Sequence, residues 1–474
     1  MSCACRTAGY SIRLGQSSLF TKFIISAVFA LTGTFLFDSS IQGAETAVPR
    51  ASERIAAVLE APHEPAADKT ISAEEPAGDI TLMQALIAAL LKNPELAAFS
   101  QEIRAREAAV LQAGLFPNPI FGANAANFGN ASIRGFDGDV VTLELSQLIE
   151  LGGKRAARIE AAERTRELAG WDYETLRIAV ATLVAQAFAE VLGAQARLDL
   201  ARQTAELAEQ VAAAVGNQVK AGEVSPVEET RAKVALATVR TDLTRAEREL
   251  EAARRRLAAL WGSVEPRFAK ARGELETVSP IPTLEQLQER VHQNPELARW
   301  TTELTQRQAL VDLEKTKAIP NVITTLGVSK YLMPGDYALV AGVSLPLPVF
   351  NRNQGGILEA ERRRGKAEDE RRAAEVRVGT ALNTTYQALA AAYAEAEAYK
   401  TSVLPGATSA FEAVRKGYRY GQFALLDVLD TQRTLFAARA QYLRALTAYH
   451  QGVAEVERLI GERLAFIPNS EESK

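Results

Sequence analysis

The 474-residue chain has only two cysteines, three histidines and three methionines. So few soft or imidazole ligands leave no basis for a His/Cys metal centre, an iron–sulfur cluster or a disulfide framework. Neither sign of charge is in excess: 54 basic against 58 acidic residues give a net charge of −4. That balance excludes the basic footprint of a nucleic-acid binder and the acidic block of a disordered tail. Aromatics make up 7% of the chain, and abundant alanine favours long helices over a β-sandwich. One apolar run stands out, Phe23 to Phe37, and no later segment reads as a membrane-spanning helix. A chain of this kind that enters a membrane is expected to do so with strands.

What is present begins with an address. Arg6, Arg13 and Lys22 precede the apolar run, and Asp38, Ser39, Ser40, Gly43 and Ala44 follow it. Residues 1–44 therefore read as a secretory signal peptide, although Gln42 occupies a position that prefers a small side chain. An uncleaved anchor is the alternative, but the run is shorter than the ~20 residues a spanning helix needs. Cys3 and Cys5 would leave with the signal peptide, and a cysteine-free mature chain suits an oxidising compartment. Residues 45–79, with Pro49, Pro62, Pro65 and Pro76, read as a flexible leader.

The remainder is written twice. Thr81-Leu82-Met83-Gln84 opens a helix leading to Asn93-Pro94-Glu95-Leu96, and Thr283-Leu284-Glu285-Gln286 opens another leading to Asn294-Pro295-Glu296-Leu297. Pro117-Asn118 and Pro320-Asn321 come next, then two strand-like stretches, then a long helical segment in each half. Gly222 and Gly421 mark its end, and a returning helix closes at Gly262 and Gly461. Matching punctuation of this kind is the signature of an internal repeat. It divides the chain into a first repeat at 80–277, a second at 278–466 and a tail at 467–474.

Alternation predicts one hairpin per repeat. Val141, Leu143 and Leu145 point opposite to Thr142, Glu144 and Ser146; Tyr337, Leu339, Val343 and Leu345 point opposite to Ala338, Gly342 and Ser344. Ile120 to Phe128 and Val322 to Lys330 are the partner strands. Such hairpins fit a membrane β-barrel wall, but the signal per strand is weak and periodicity alone favours an ordinary half-buried hairpin on helices. Four strands cannot close a barrel, and open edges in lipid cost several kcal/mol per unpaired group, so a barrel requires association of chains. The helices are the larger feature. Ala156 to Lys220 lacks proline and would span ~100 Å as a helix. Gly355 to Tyr420 is similar, with a kink expected at Pro405. Leu236, Val239, Leu243, Ala246, Leu250, Ala253, Leu257 and Leu260 form a heptad seam on the returning helix. The fold class expected is mainly α with a membrane β-barrel part: long coiled-coil helices forming an α-helical barrel, plus four strands per subunit.

These residues resemble the TolC-like outer-membrane efflux proteins over most of Ile80 to Gly461. Phe116-Pro117-Asn118-Pro119, Gln147-Leu148-Ile149-Glu150-Leu151-Gly152-Gly153-Lys154-Arg155 and the segment Ser344 to Gly355 are similar to the CzcC-type branch, which exports divalent heavy-metal cations. Leu426-Asp427-Val428-Leu429-Asp430 looks like the family's returning helix at the periplasmic tip. The resemblance implies a homotrimer with one twelve-stranded barrel in outer-membrane lipid and a periplasmic tunnel. It also implies two partners, a periplasmic adaptor and an inner-membrane transporter of the resistance-nodulation-division class. Two departures stand out: no cysteine is available for a lipid anchor, and Phe423 stands where relatives often have a basic residue.

Candidate site residues follow. Asp427 and Asp430 share a helix face, and in a trimer they would form carboxylate rings that select cations at a constriction; a solvated coiled-coil face is the plain alternative. Glu228, with Glu229 beside it, reads as such a solvated face. The segments Val219 to Val227 and Arg419 to Leu426, with Gly222, Gly421, Lys220 and Arg419, are the expected adaptor-docking tips, near Arg415 and Lys416. Basic residues there also suit the helix dipole. An enzyme is not expected: His63, His292 and His450 lack a nucleophile signature nearby, and Gly152-Gly153-Lys154-Arg155 lacks phosphate-loop spacing and reads as a strand-to-helix corner. No cofactor is expected. Drug efflux, type I protein secretion or a periplasmic adaptor or scaffold are the alternative functions.

Overall fold

The computed structural model describes residues 75–126, 140–332 and 335–464. The expected signal peptide, most of the leader and the tail lie outside them. The first repeat runs β1 (Gly78–Thr81), α1 (Leu82–Lys92), α2 (Pro94–Ala113), β2 (Ile120–Ala126), β3 (Val140–Ile149), α3 (Lys154–Lys220), α4 (Pro226–Ala259) and β4 (Phe268–Arg272). The second runs α5 (Leu284–Arg290), α6 (Pro295–Lys317), β5 (Val322–Tyr331), β6 (Tyr337–Ser344), α7 (Gln354–Ala398), a π-helical turn (Tyr399–Val403), α8 (Leu404–Arg419) and α9 (Leu425–Ile460). Strand β1 starts inside the expected flexible leader. It pairs in parallel with β4, and an Asp79–Arg272 ion pair at 2.5 Å holds the junction.

Both repeats use the same local chemistry. Thr81 and Gln84 cap α1 reciprocally, at 2.9 and 3.4 Å; Thr283 and Gln286 do the same for α5, at 3.1 and 3.5 Å. These are capping boxes, in which each side chain satisfies an otherwise unpaired backbone N–H. Asn93 accepts from the N–H groups of Glu95 and Leu96 and donates to the Leu260 carbonyl at 2.9 Å. Asn294 accepts from Glu296 at 2.7 Å and donates to the Leu459 carbonyl at 2.9 Å. Each buried asparagine thus ties the start of one helix to the end of another far along the chain. Gly262 and Gly461 follow those carbonyls with φ of +79° and +76°, the left-handed conformation that ends a helix at little cost only for glycine.

The strands form one antiparallel sheet in the order β2-β3-β5-β6, so the two hairpins meet through β3 and β5. The alternation is inverted relative to a water-soluble sheet. Val141, Leu143, Leu145, Leu326, Val328, Leu339 and Val343 are exposed, whereas Thr142, Glu144 and Ser146 are half-buried and Ser329 is 5% exposed. On the polar face, the hydroxyls of Thr142 and Ser329 pair at 2.7 Å, and those of Ser146 and Thr325 at 3.0 Å.

Helix α3 is continuous for 67 residues, ~100 Å at 1.5 Å per residue. Against the expectation that no helix past the N-terminus is apolar enough to cross a membrane, one window of α3 is. Its Val180, Val184, Phe188 and Val191 pack into a core with Ala89, Leu257, Trp261 and Phe268, which accounts for their apolar character without lipid. The heptad seam on α4 is realised: Ala246, Ala253 and Leu257 are buried and the other five members are half-buried. Pro405 acts through the turn before it. The Leu404 N–H reaches back five residues to the Tyr399 carbonyl, widening the helix where proline has no N–H to give and its ring crowds the preceding turn.

Candidate functional site

Two places concentrate chemistry: the tip, where α3 turns into α4 and α8 into α9, and the junction between sheet and helices. At the tip, Gly222 and Gly421 have φ of +76° and +73°. Gly222 N–H bonds the Val219 carbonyl and Glu223 N–H that of Gln218, at 3.0 and 2.9 Å; Gly421 and Gln422 repeat this to Tyr418 and Gly417 at the same distances. These are paired Schellman closures, which satisfy carbonyls that the helix end leaves open. The two tips lie side by side over Val215, Ala232 and Leu425, with Val219, Val224 and Tyr418 around them. The Tyr418 hydroxyl donates to Gln218 Oε1 at 3.0 Å. Burial pushes the Tyr418 pKa up, and the nearby Glu228 carboxylate adds to the shift.

The sequence-predicted residues fall as follows. Lys220 and Arg419 end α3 and α8 and are exposed, as are Arg415 and Lys416. Asp427 lies in the first turn of α9, and its carboxylate accepts from the Ala424 N–H at 2.9 Å. This caps the helix and suits the positive end of its dipole. Asp430 is exposed one turn further on. In the first tip Glu228 pairs with Arg231 at 3.0 Å and Glu229 with Lys233 at 2.6 Å. Phe423 lies against Gly417: a Cβ on that glycine would come within 2.5 Å of its ring.

At the junction, Gly152 and Gly153 take φ of +74° and +72°, and a Cβ on Gly152 would strike Ile319 at 2.5 Å. The chain can therefore turn from β3 into α3 only with glycine there. Lys154 then donates to the Ile319 carbonyl and the Asn321 side chain of the other repeat, and burial lowers its pKa. Arg158 pairs with Glu150 at 2.7 Å and donates to the Ala113 carbonyl at 2.8 Å. Its hydrogen bond holds the Glu150 pKa below the ordinary carboxylate range, against a smaller opposing effect of burial. Arg155 donates to the Gly114 carbonyl at 2.7 Å and stacks over Phe116, 4.1 Å from the ring centroid. The corner motif is thus a structural clasp. The tie from Tyr418 to Gln218 escaped sequence reasoning, because its partners are 200 residues apart and neither stands out in composition.

His450 Nε2 lies 2.9 Å from the Leu275 carbonyl, in edge contact with Tyr449, as a packing histidine. Among the described residues no group of three or more His, Cys, Asp and Glu side chains converges as a metal site.

Comparison with known proteins gives the setting. The family described as outer membrane efflux protein matches residues 85–263 and 287–462. The chain is 38% identical over 387 residues to the cobalt-zinc-cadmium resistance protein CzcC of Cupriavidus metallidurans, covering 82% of this chain and 91% of that one. It is 28% identical over 292 residues to the nickel-cobalt-cadmium resistance protein NccC of Alcaligenes xylosoxydans xylosoxydans, covering 62% and 65%. The fold matches the crystal structure of CusC with a TM-score of 0.67 at 18% identity, over 82% of this chain and 96% of that one.

Proposed function

From its place in the outer membrane efflux protein family, to which this chain belongs, we propose that it is the exit duct of a tripartite pump exporting divalent heavy-metal cations. The observation that carries the cargo is the 38% identity to a cobalt-zinc-cadmium resistance protein along most of both chains. The inverted sheet supports the duct: an apolar face on the outside and paired hydroxyls on the other side is the pattern of a lipid-facing barrel wall. With strands β2 and β6 at open edges among the described residues, closure would require further copies, and three would give twelve strands in a homotrimer. The α3–α4 and α7–α9 helices would then continue the wall as a periplasmic tunnel. A periplasmic adaptor would dock at the tips, around Gly222, Gly421, Lys220 and Arg419, and couple the duct to an inner-membrane transporter of the resistance-nodulation-division class.

Asp427 and Asp430 are proposed to form the constriction. Their exposure on one face of α9 supports rings of carboxylates across the trimer axis, which attract cations. With so few soft ligands in the chain, discrimination among metals would rest with the inner-membrane partner. The test is metal tolerance of a deletion strain, titrating zinc, cadmium, cobalt, nickel, copper and silver beside a drug panel. Sensitivity confined to some metals is expected; sensitivity to drugs alone would discard the cargo. Bulky substitutions at Gly222 or Gly421 should abolish resistance while the protein still inserts: a Cβ at either meets nothing within 4 Å, so the strain of a positive φ stays in the tip turn, at the opposite end of α3 from the strands. Normal resistance in such strains would overturn the docking role.

A further inference from the structure

We propose that Glu144 is a cation-selecting carboxylate on the inner wall of the barrel, holding a hydrated cation, the divalent metal cargo included, as a transient ligand. This rests on the reading that the four strands belong to a closed barrel with the polar face inward. Register places Glu144 directly between Gly122 of β2 and Gly327 of β5, with Val340 of β6 beyond. It is the single charged side chain on the polar face among the described strand residues. The rows on either side hold hydroxyls bonded to one another, Thr142 with Ser329 and Ser146 with Thr325, so they are already partnered.

The two glycines shape the site. A Cβ at Gly122 would come within 3.1 Å of Glu144 Cγ and Oε1, and one at Gly327 within 2.5 Å of the Leu143 carbonyl oxygen and 3.0 Å of Glu144 Cβ. The carboxylate therefore lies down along the wall over a bare backbone, where a larger neighbour would displace it. A carboxylate with a structural role would be expected to meet a basic side chain or a hydroxyl. No such bond or ion pair is made to Glu144 among the described residues, and the positions across from it on β2 and β5 are glycines with no side chain to supply one. A lone carboxylate per subunit on a wide wall attracts cations without trapping them, as conduction requires.

The experiment is ion selectivity of the full-length protein in planar bilayers under a KCl gradient. At ~0.1 M salt, where screening reaches ~10 Å, Glu144→Gln is expected to lower the cation-over-anion permeability ratio by about twofold or more. Glu144→Asp should keep most of the preference and Glu144→Lys should reverse its direction. All differences should vanish near 1 M salt, where screening shortens to ~3 Å. An unchanged ratio for Glu144→Gln beside a reduced one for Asp430→Asn would overturn the role of Glu144 and leave the duct standing. If Glu144→Gln fails to insert while Glu144→Asp inserts, the carboxylate is a folding element and the proposal is overturned. If the native protein runs as a monomer in detergent, with its sheet edges unpaired, the barrel reading itself falls.

Discussion

The two tips of this molecule share a backbone and differ in charge. Six and nine residues after the tip glycine, the first repeat carries Glu228 and Arg231, the second Asp427 and Asp430. In the first tip those residues neutralise each other at 3.0 Å; in the second, neither aspartate has an ion pair among the described residues. The long helices diverge too. Helix α3 runs unbroken from junction to tip, whereas its counterpart is divided by the π turn at Tyr399–Val403. The capping, the asparagine ties and the turn geometry are common to both repeats, while one repeat has an unbroken helix leading to an ion-paired tip and the other a helix with a π turn leading to acids without a basic partner among the described residues. Shared features hold the fold; the differences lie along the helices that lead to the proposed constriction.

The comparison can be broken most severely at the asparagine ties. Asn294 is 2% exposed, and Asn294→Ala would leave the Leu459 carbonyl and the Glu296 N–H unpaired, at a cost of about 2–4 kcal/mol. Thermal unfolding in detergent should show a marked loss for this variant and for Asn93→Ala, and equal stability to the parent would refute the shared tie. Next come the closing glycines. Both have positive φ, but a Cβ on Gly461 meets the Gln293 carbonyl oxygen at 2.9 Å while one on Gly262 meets Pro94 at 3.4 Å. Gly461→Ala should therefore exceed the ~1 kcal/mol expected of Gly262→Ala, as the two melting temperatures would reveal.

A smaller asymmetry lies four residues before those glycines, where the first repeat has Ala258 and the second has Glu457. Burial raises the Glu457 pKa, with a hydrogen bond from the Leu464 N–H working against it. A raised carboxyl favours its neutral form in the fold, so its stabilising contribution is full below the unfolded pKa and is lost as pH rises through the folded one. Glu457→Gln should accordingly stabilise the protein at neutral pH by under about 1 kcal/mol, an advantage that fades below about pH 4. A constant difference across pH would show that the carboxyl stays as acidic as in the unfolded chain. The least effect on stability belongs to Asp430→Arg, which copies the first tip's pairing into the second: an exposed pair contributes ~0–1 kcal/mol. Its readout is selectivity, and an unaltered preference for cations would remove Asp430 from the constriction.

Much of this was legible in the sequence because it depends on local rules. The Thr-x-x-Gln boxes, the Asn-Pro starts, the glycine stops and the period-two strands each follow from chemistry within four residues. Pro405 announced an irregularity, although its form as a π turn depends on packing around it. Long-range features were hidden. Asn93 and Asn294 were visible as repeat markers, but nothing near them points to Leu260 or Leu459. The order β2-β3-β5-β6 likewise joins strands from different repeats, and alternation fixes a strand's faces without naming its neighbour. At the candidate site, Asp427 was legible as an acidic residue; its capping of the Ala424 N–H depends on the backbone geometry of the tip turn.

The open edges of the sheet reach into genetics. Strands β2 and β6 each present a row of backbone groups with no neighbouring strand among the described residues, so a lone copy is not a finished object. In the proposed trimer every duct samples three gene products at once. A cell making equal amounts of sound and defective copies that still pair would assemble only about one sound duct in eight by random mixing. Alleles that spoil the tip while sparing the strands should therefore act dominantly, whereas alleles that destroy an edge strand drop out of assembly and stay recessive.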